Sequence, residues 1–90
     1  MIVLKNEREI KLMLEACRIS AEALKVAGEA VEPGVSTFEI DQIVKKFIEG
    51  KGARPTFLNY NGFPASACIS INDEVIHGIP SKNRILREGD

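Results

Sequence analysis

Apolar residues recur at steps of three and four along the first third of the chain, and this spacing constrains the fold more than any other feature. Asn6 and Glu9 have the spacing of a capping box, and Pro33 disfavours helical backbone at the residue before it. We therefore predict an amphipathic helix from about Glu7 to about Val31. Its apolar face consists of Ile10, Met13, Leu14, Cys17, Ala21, Leu24, Gly28 and Val31.

A second helix is predicted to begin at Ser36, because Ser36 and Glu39 again have capping-box spacing. Gly50, Lys51 and Gly52 supply the residues that commonly end a helix. The apolar face between these ends is formed by Ile40, Ile43, Val44, Phe47 and Ile48.

The chain after the second helix has the features of short strands. Residues 67–71 and 74–77 alternate between apolar and polar side chains and are rich in β-branched residues, and Asn72-Asp73 is a turn pair between them. Residues 53–58 could form a further edge strand. Two helices followed by strands predict an α+β fold, with the helices packed on a mainly antiparallel sheet, and ninety residues form one domain at most.

The composition argues against several classes of protein. With 12 Lys and Arg against 13 Asp and Glu, the net charge is -1, which gives no general attraction to nucleic acid. No apolar run approaches the roughly 20 residues of a membrane span, and the apolar start is too short for a secretory signal. We therefore expect a cytoplasmic protein without a nucleic-acid or membrane partner.

The two cysteines, Cys17 and Cys68, lack the spacing of a metal or redox motif. We interpret them as buried free thiols, with a disulfide as the alternative.

His77 is the only histidine, and the predicted strands place it at a strand end followed by Gly78 and Pro80. Gly78 removes side-chain bulk beside the ring, and Pro80 fixes the direction in which the chain leaves. Both features suit a histidine that faces a ligand, but a lone histidine on a strand is also common as a structural residue. The spacing alone leaves both interpretations open.

Phe57, Tyr60 and Phe63 surround a loop rich in Gly and Pro. They could belong to the core, or they could form an apolar slot, with Cys68 opposite, for an unbranched thioether side chain. The Asn61-Gly62 pair lets the loop bend sharply.

A self-contained metal site is not expected. The chain has one histidine and no paired cysteine motif, and the carboxylates of Asp73, Glu74, Glu88 and Asp90 lie at turns. A serine hydrolase is not expected either, because no G-x-S-x-G motif is present.

Residues 68–80, which read Cys-Ile-Ser-Ile-Asn-Asp-Glu-Val-Ile-His-Gly-Ile-Pro, closely resemble the signature segment of the type I methionine aminopeptidases. The resemblance continues through residues 35–37, 56–64 and 86–90 and covers essentially the whole chain. It implies that residues 1–90 are a single partial domain, the N-terminal half of a catalytic domain with the pita-bread fold. The activity it implies is metal-dependent removal of the initiator methionine from nascent proteins.

The same resemblance implies roles for particular residues. His77 matches a catalytic histidine that contacts the scissile amide, and Phe57, Tyr60, Phe63 and Cys68 match positions that line the pocket for the methionine side chain. The family commonly has Cys where this chain has Phe57 and Tyr where it has Phe63, so the polarity of the pocket is expected to differ.

The implied cofactors are two divalent metal ions (Co, Mn, Fe or Zn) that bridge a water molecule. Their five ligands, two Asp, one His and two Glu, are expected beyond Asp90. Residues 1–90 alone are expected to bind no metal ion. The implied partner is a peptide or nascent chain with N-terminal Met, with the ribosome as a second candidate, and the intact enzyme is expected to be a monomer. The alternatives are a catalytically inactive, truncated pita-bread half that acts as a binding module, and a prolidase-like relative.

Overall fold

Two α-helices and a long irregular segment make up the fold of the computed structural model, which describes residues 1–90. Helix α1 spans Glu7–Ala30, helix α2 spans Thr37–Gly50, and a short 3-10 turn spans Tyr60–Gly62. Helix α1 packs against α2. Neither helix has an apolar stretch long enough to cross a lipid bilayer.

Helix α1 begins at the predicted Glu7, and α2 begins at Thr37, one residue after the predicted Ser36, which is its N-cap. At α1, the Asn6 side chain accepts the N–H of Glu9 at 2.8 Å, and the Glu9 carboxylate accepts the N–H of Asn6 at 3.0 Å, which confirms the capping box. At α2, the Ser36 hydroxyl accepts the N–H of Glu39 at 3.1 Å. Helix α2 ends at Gly50, and Gly52 has a φ of 75°, as expected for a glycine after a helix.

The core is small and lies beneath α2. Five apolar residues are buried: Ala23, Ile40, Val44, Ala65 and Leu86. The predicted apolar face of α1 is largely uncovered, since Ile10, Met13 and Leu14 are 54%, 48% and 57% exposed. Both cysteines are free, as predicted, but both are exposed, so the prediction that they are buried is wrong.

The predicted antiparallel sheet is also wrong. The only β-pairing is an isolated antiparallel bridge between Ser36 and Ile85, so the helices have no sheet to pack on, and the expected sheet-packed half of a pita-bread fold is not seen. The turn at Asn72-Asp73 does form, with the N–H of Glu74 donating to the carbonyl of Ile71 at 3.1 Å.

Two local features explain why the segments on either side of that turn do not form a ladder. The Ile69 N–H reaches the Gly78 carbonyl at 2.9 Å, but the Gly78 N–H donates to the Ser70 hydroxyl at 3.1 Å. A serine side chain thus takes a donor that a ladder would have used. His77 then has a φ of 57°, in the left-handed region, which turns the chain away from the extended path.

The C-terminal segment is held instead by the start of α2. The Thr37 hydroxyl accepts the Ser81 N–H at 2.9 Å, and the Thr37 N–H donates to the Arg84 carbonyl at 2.9 Å. The Leu86 N–H donates to the Val35 carbonyl at 2.8 Å. These hydrogen bonds hold residues 81–86, which follow His77, against the start of α2.

Candidate functional site

An open cleft of about 520 Å³ lies between the loop that carries the aromatic residues and the chain around His77. The Phe57 ring is at its centre, with ring centroids 4.7 Å from Phe63, 5.9 Å from Tyr60 and 6.0 Å from His77. Four of the five residues predicted for the site therefore line one cleft. We call this feature the aromatic cleft; Asn61, Gly62, Pro64 and Ile79 complete its lining.

The loop of the aromatic cleft bends sharply because three residues adopt positive φ. Asn59, Asn61 and Gly62 have φ values of 65°, 47° and 80°, which Asn and Gly tolerate better than other residues. The Asn59 N–H donates to the Phe63 carbonyl at 2.8 Å and closes the loop. The sharp bend predicted from Asn61-Gly62 is confirmed.

His77 lines the cleft and is exposed to solvent. Its neighbour Gly78 is buried against the opposite segment, where a Cβ atom would lie 2.1 Å from the carbonyl oxygen of Ile69. The need for glycine at this position therefore comes from the close approach of two backbones, and not from relief of bulk beside the histidine ring.

Cys68, the fifth predicted site residue, does not line the aromatic cleft. It lines a different and larger cavity of about 760 Å³ between the helices and the segment before the Asn72-Asp73 turn. We call this cavity the helix groove. Its lining is mainly apolar and includes Leu24 and Val31 of α1 and Ile48 of α2.

Asp41 is a buried residue that the sequence interpretation missed. It is 2% exposed, and its Oδ1 accepts the N–H groups of Ser66 at 2.8 Å and Ala67 at 2.7 Å. This carboxylate fixes the segment that links the aromatic cleft to the helix groove. A signal was available, because Asp41 precedes Val44 by three residues and Ile48 by seven and so belongs to the inward face of α2.

Glu74 holds the turn that precedes His77. Its Oε1 accepts the Ile71 N–H at 2.9 Å, and Arg84 pairs with the same carboxylate at 2.9 Å. The Ile71 hydrogen bond, and after it the Arg84 guanidinium, lower the pKa of Glu74 below its ordinary value of 4.5. The ionised form of Glu74 is therefore the one that the folded turn binds.

This arrangement predicts a loss of stability in acid. Because the pKa of Glu74 is lower in the folded state, its contribution is present above the unfolded pKa and is lost as the pH falls below 4.5 through the folded pKa. We expect Glu74→Gln to flatten the fall in the free energy of unfolding below that pH. Urea titrations between pH 7 and pH 3 measure this, with Glu88→Gln as a control because Glu88 forms no ion pair. An equally steep fall in Glu74→Gln and in the unsubstituted protein contradicts the prediction.

No group of three or more His, Cys, Asp and Glu side chains in residues 1–90 is arranged so that it could hold a metal ion. Two of the acidic residues at turns are engaged with other partners. Glu74 binds Arg84, and Asp90 accepts hydrogen bonds from the Arg87 N–H at 2.8 Å and the Asn72 side chain at 2.9 Å.

The chain matches the family model described as metallopeptidase family M24 over residues 11–90. A relative from Clostridium acetobutylicum named methionine aminopeptidase is 51% identical over 90 residues, which cover 100% of this chain and 36% of the relative.

The backbone of the chain is also similar to that of solved methionine aminopeptidases. The chain is similar to the crystal structure of methionine aminopeptidase from Rickettsia prowazekii, with a TM-score of 0.95 and 39% identity, and to that from Thermotoga maritima, with a TM-score of 0.96 and 32% identity. In both cases the match covers 100% of this chain and 36% of the other. The chain thus spans about a third of the length of the relatives it matches.

Proposed function

This chain belongs to metallopeptidase family M24, and on that premise we propose that the whole protein is a methionine aminopeptidase. It hydrolyses the first peptide bond of a polypeptide that begins with methionine, and it acts in the cytoplasm on nascent chains. The observation that carries the proposal is the 51% identity, across every residue of this chain, to a protein named for that activity.

The aromatic cleft supports a role in holding the methionine side chain. A thioether is polarizable and packs favourably at a distance of about 5 Å from aromatic rings. Phe57 and its neighbours Tyr60 and Phe63 offer three such rings around one opening. We assign the side-chain pocket to these three residues and leave Cys68 out of it, because Cys68 lines the helix groove.

His77 is the residue we assign to the reacting amide. It is the one side chain of the aromatic cleft that carries an imidazole, whose two ring nitrogens offer both a hydrogen-bond donor and an acceptor. Its exposure leaves the ring free to hydrogen-bond to the substrate backbone while the methionine side chain lies against Phe57. The chemistry of this segment is therefore positioning and proton handling at the scissile bond.

The metal ions that the family name implies do not fit residues 1–90, which offer no suitable group of ligands. We therefore propose that two divalent ions are bound by ligands outside these residues. We derive no step through them.

The test is an assay of the protein purified from the organism that makes it. We expect methionine to be released from the peptide Met-Ala-Ser in the presence of a divalent metal and not after treatment with a chelator, while Leu-Ala-Ser stays intact. The intact mass of the active species, compared with the 9.9 kDa of residues 1–90, identifies how much chain the activity needs. A preference for proline-containing dipeptides would contradict the proposal, and so would the absence of cleavage with any metal, which favours a binding role.

A further inference from the structure

His77 has a backbone conformation that residues with a Cβ atom adopt only rarely. Its φ of 57° lies in the left-handed region. The backbone of residues 75–77 makes no hydrogen bond, and the side chains of Val75 and Ile76 are exposed. A strained conformation of this kind persists only where neighbouring contacts impose it, and such residues cluster at functional sites. The contacts that hold His77 must therefore lie at the two ends of this stretch.

The anchor on the N-terminal side is the turn at Asn72-Asp73. Glu74 and Ile71 exchange two hydrogen bonds across this turn, one between backbone groups at 3.1 Å and one from the Ile71 N–H to the Glu74 carboxylate at 2.9 Å. Residues 75–76, which have no backbone hydrogen bond, separate this anchor from His77. The turn alone therefore does not set the conformation of His77.

The anchor on the C-terminal side is attached directly to His77. The Ser70 hydroxyl accepts the Gly78 N–H at 3.1 Å. That N–H belongs to the peptide between His77 and Gly78, and because a peptide is planar, the hydrogen bond fixes the plane in which the His77 backbone continues. The other hydrogen bond of Gly78, from the Ile69 N–H to its carbonyl at 2.9 Å, acts on the following peptide. Ser70 is therefore the side chain that holds the peptide next to His77.

Ser70 acts from outside the aromatic cleft, because it lines the helix groove and does not line the cleft. Without its hydroxyl, the peptide after His77 is free to turn, and His77 is free to relax toward the extended backbone that is common for residues with a Cβ atom. That change would move the imidazole away from its present place, 6.0 Å from the Phe57 ring between centroids.

We propose that Ser70 is a positioning residue for the reaction. Its hydroxyl holds the peptide that follows His77 and thereby directs the imidazole at the scissile amide. The inference rests on the proposed aminopeptidase activity and deepens it.

The test measures methionine release by the whole protein, purified with the divalent metal that supports its activity. Ser70→Ala should lower kcat for Met-Ala-Ser by about 10- to 100-fold, because a small displacement of a group at the reacting bond has an effect of this size. KM should stay within about threefold, since the rings that bind the methionine side chain are unchanged. Ser70→Thr keeps the hydroxyl and should retain the normal rate. Ser20→Ala removes an exposed serine hydroxyl from the same groove and should leave kcat unchanged.

A second comparison separates positioning from a general loss of structure. In a His77→Asn background, Ser70→Ala should cause no further loss of rate, because both changes act through one group. Hydrogen exchange adds a measurement that needs no turnover. The Gly78 N–H should exchange about 10-fold faster in Ser70→Ala and at its normal rate in Ser70→Thr. Ser70→Cys, in which sulfur is a weak acceptor, is the milder variant if Ser70→Ala does not fold, and it should show the same fall in kcat.

Three results overturn the inference while the proposed activity stands: a normal kcat for Ser70→Ala and Ser70→Cys, an equal loss from Ser70→Ala with and without the His77 imidazole, or unchanged exchange of the Gly78 N–H. A rate for Ser70→Thr as low as that of Ser70→Ala overturns it too. If the unsubstituted protein releases no methionine with any metal, the proposed activity fails and the inference fails with it.

Discussion

Replacement of His77 by alanine is expected to lower kcat/KM of the active enzyme by at least about 100-fold, with most of the loss in kcat, because a group aimed at the reacting amide acts mainly in the transition state. The folded structure should persist, since the side chain is exposed and its nearest aromatic neighbour, Phe57, is 6.0 Å away between ring centroids. The measurement is steady-state hydrolysis of Met-Ala-Ser, with the thermal midpoint recorded in parallel.

Two control variants separate chemistry from backbone strain. His77 has a φ of 57°, a left-handed conformation that asparagine adopts more readily than alanine. His77→Asn therefore keeps the backbone conformation while removing the imidazole. It should be as inactive as His77→Ala. Ile76→Ala changes an exposed neighbour outside the aromatic cleft and should retain activity. A His77→Asn enzyme within threefold of the normal rate would remove His77 from the reaction.

The helices were predictable because their signals are local. The capping box of Asn6 and Glu9 and the apolar spacing that follows are contained within one segment of chain, and each acts over three or four residues. The end of α1 at Ala30, one residue before the predicted Val31, follows from the extended backbone of Val31, with a ψ of 115°.

The sheet was not predictable from the same kind of signal. Alternation in residues 67–77 indicates only that a strand is possible, whereas a ladder needs partners at the correct register. Here Ser70 intercepts the N–H of Gly78, and His77 leaves the extended region. Neither this hydrogen bond nor the left-handed backbone of His77 can be predicted from the pattern of apolar and polar residues.

The candidate site was predictable only in part, for a related reason. Phe57, Tyr60 and Phe63 lie within seven residues, and a loop with Asn61-Gly62 is able to gather them. The placement of Cys68 depends instead on Asp41, which binds the N–H groups of the preceding two residues from 25 and 26 positions away. The helix periodicity places Asp41 on the inward face of α2, but it does not indicate which distant N–H groups the carboxylate binds.

The largest effect on stability is expected from Gly78→Ala. An ideal Cβ at this position lies 2.1 Å from the carbonyl oxygen of Ile69, 2.7 Å from its carbonyl carbon and 2.9 Å from the Cα of Ser70. All three atoms belong to the backbone, so no rotamer change relieves the contact. The segments must separate, and the hydrogen bonds from Ile69 to Gly78 and from Gly78 to Ser70 are lost. Overpacking and two lost hydrogen bonds together predict a cost of about 3 kcal/mol or more.

Urea denaturation measures this cost as a fall in the midpoint at unchanged slope. Gly50→Ala is the matched control, because nothing lies within 4 Å of its Cβ position and alanine is favoured over glycine in a helix. The Gly50 variant should be neutral or slightly more stable. A cost below about 1 kcal/mol for Gly78→Ala would mean that the two segments separate easily. The left-handed turn at His77 would then not depend on the close approach of Gly78 to Ile69.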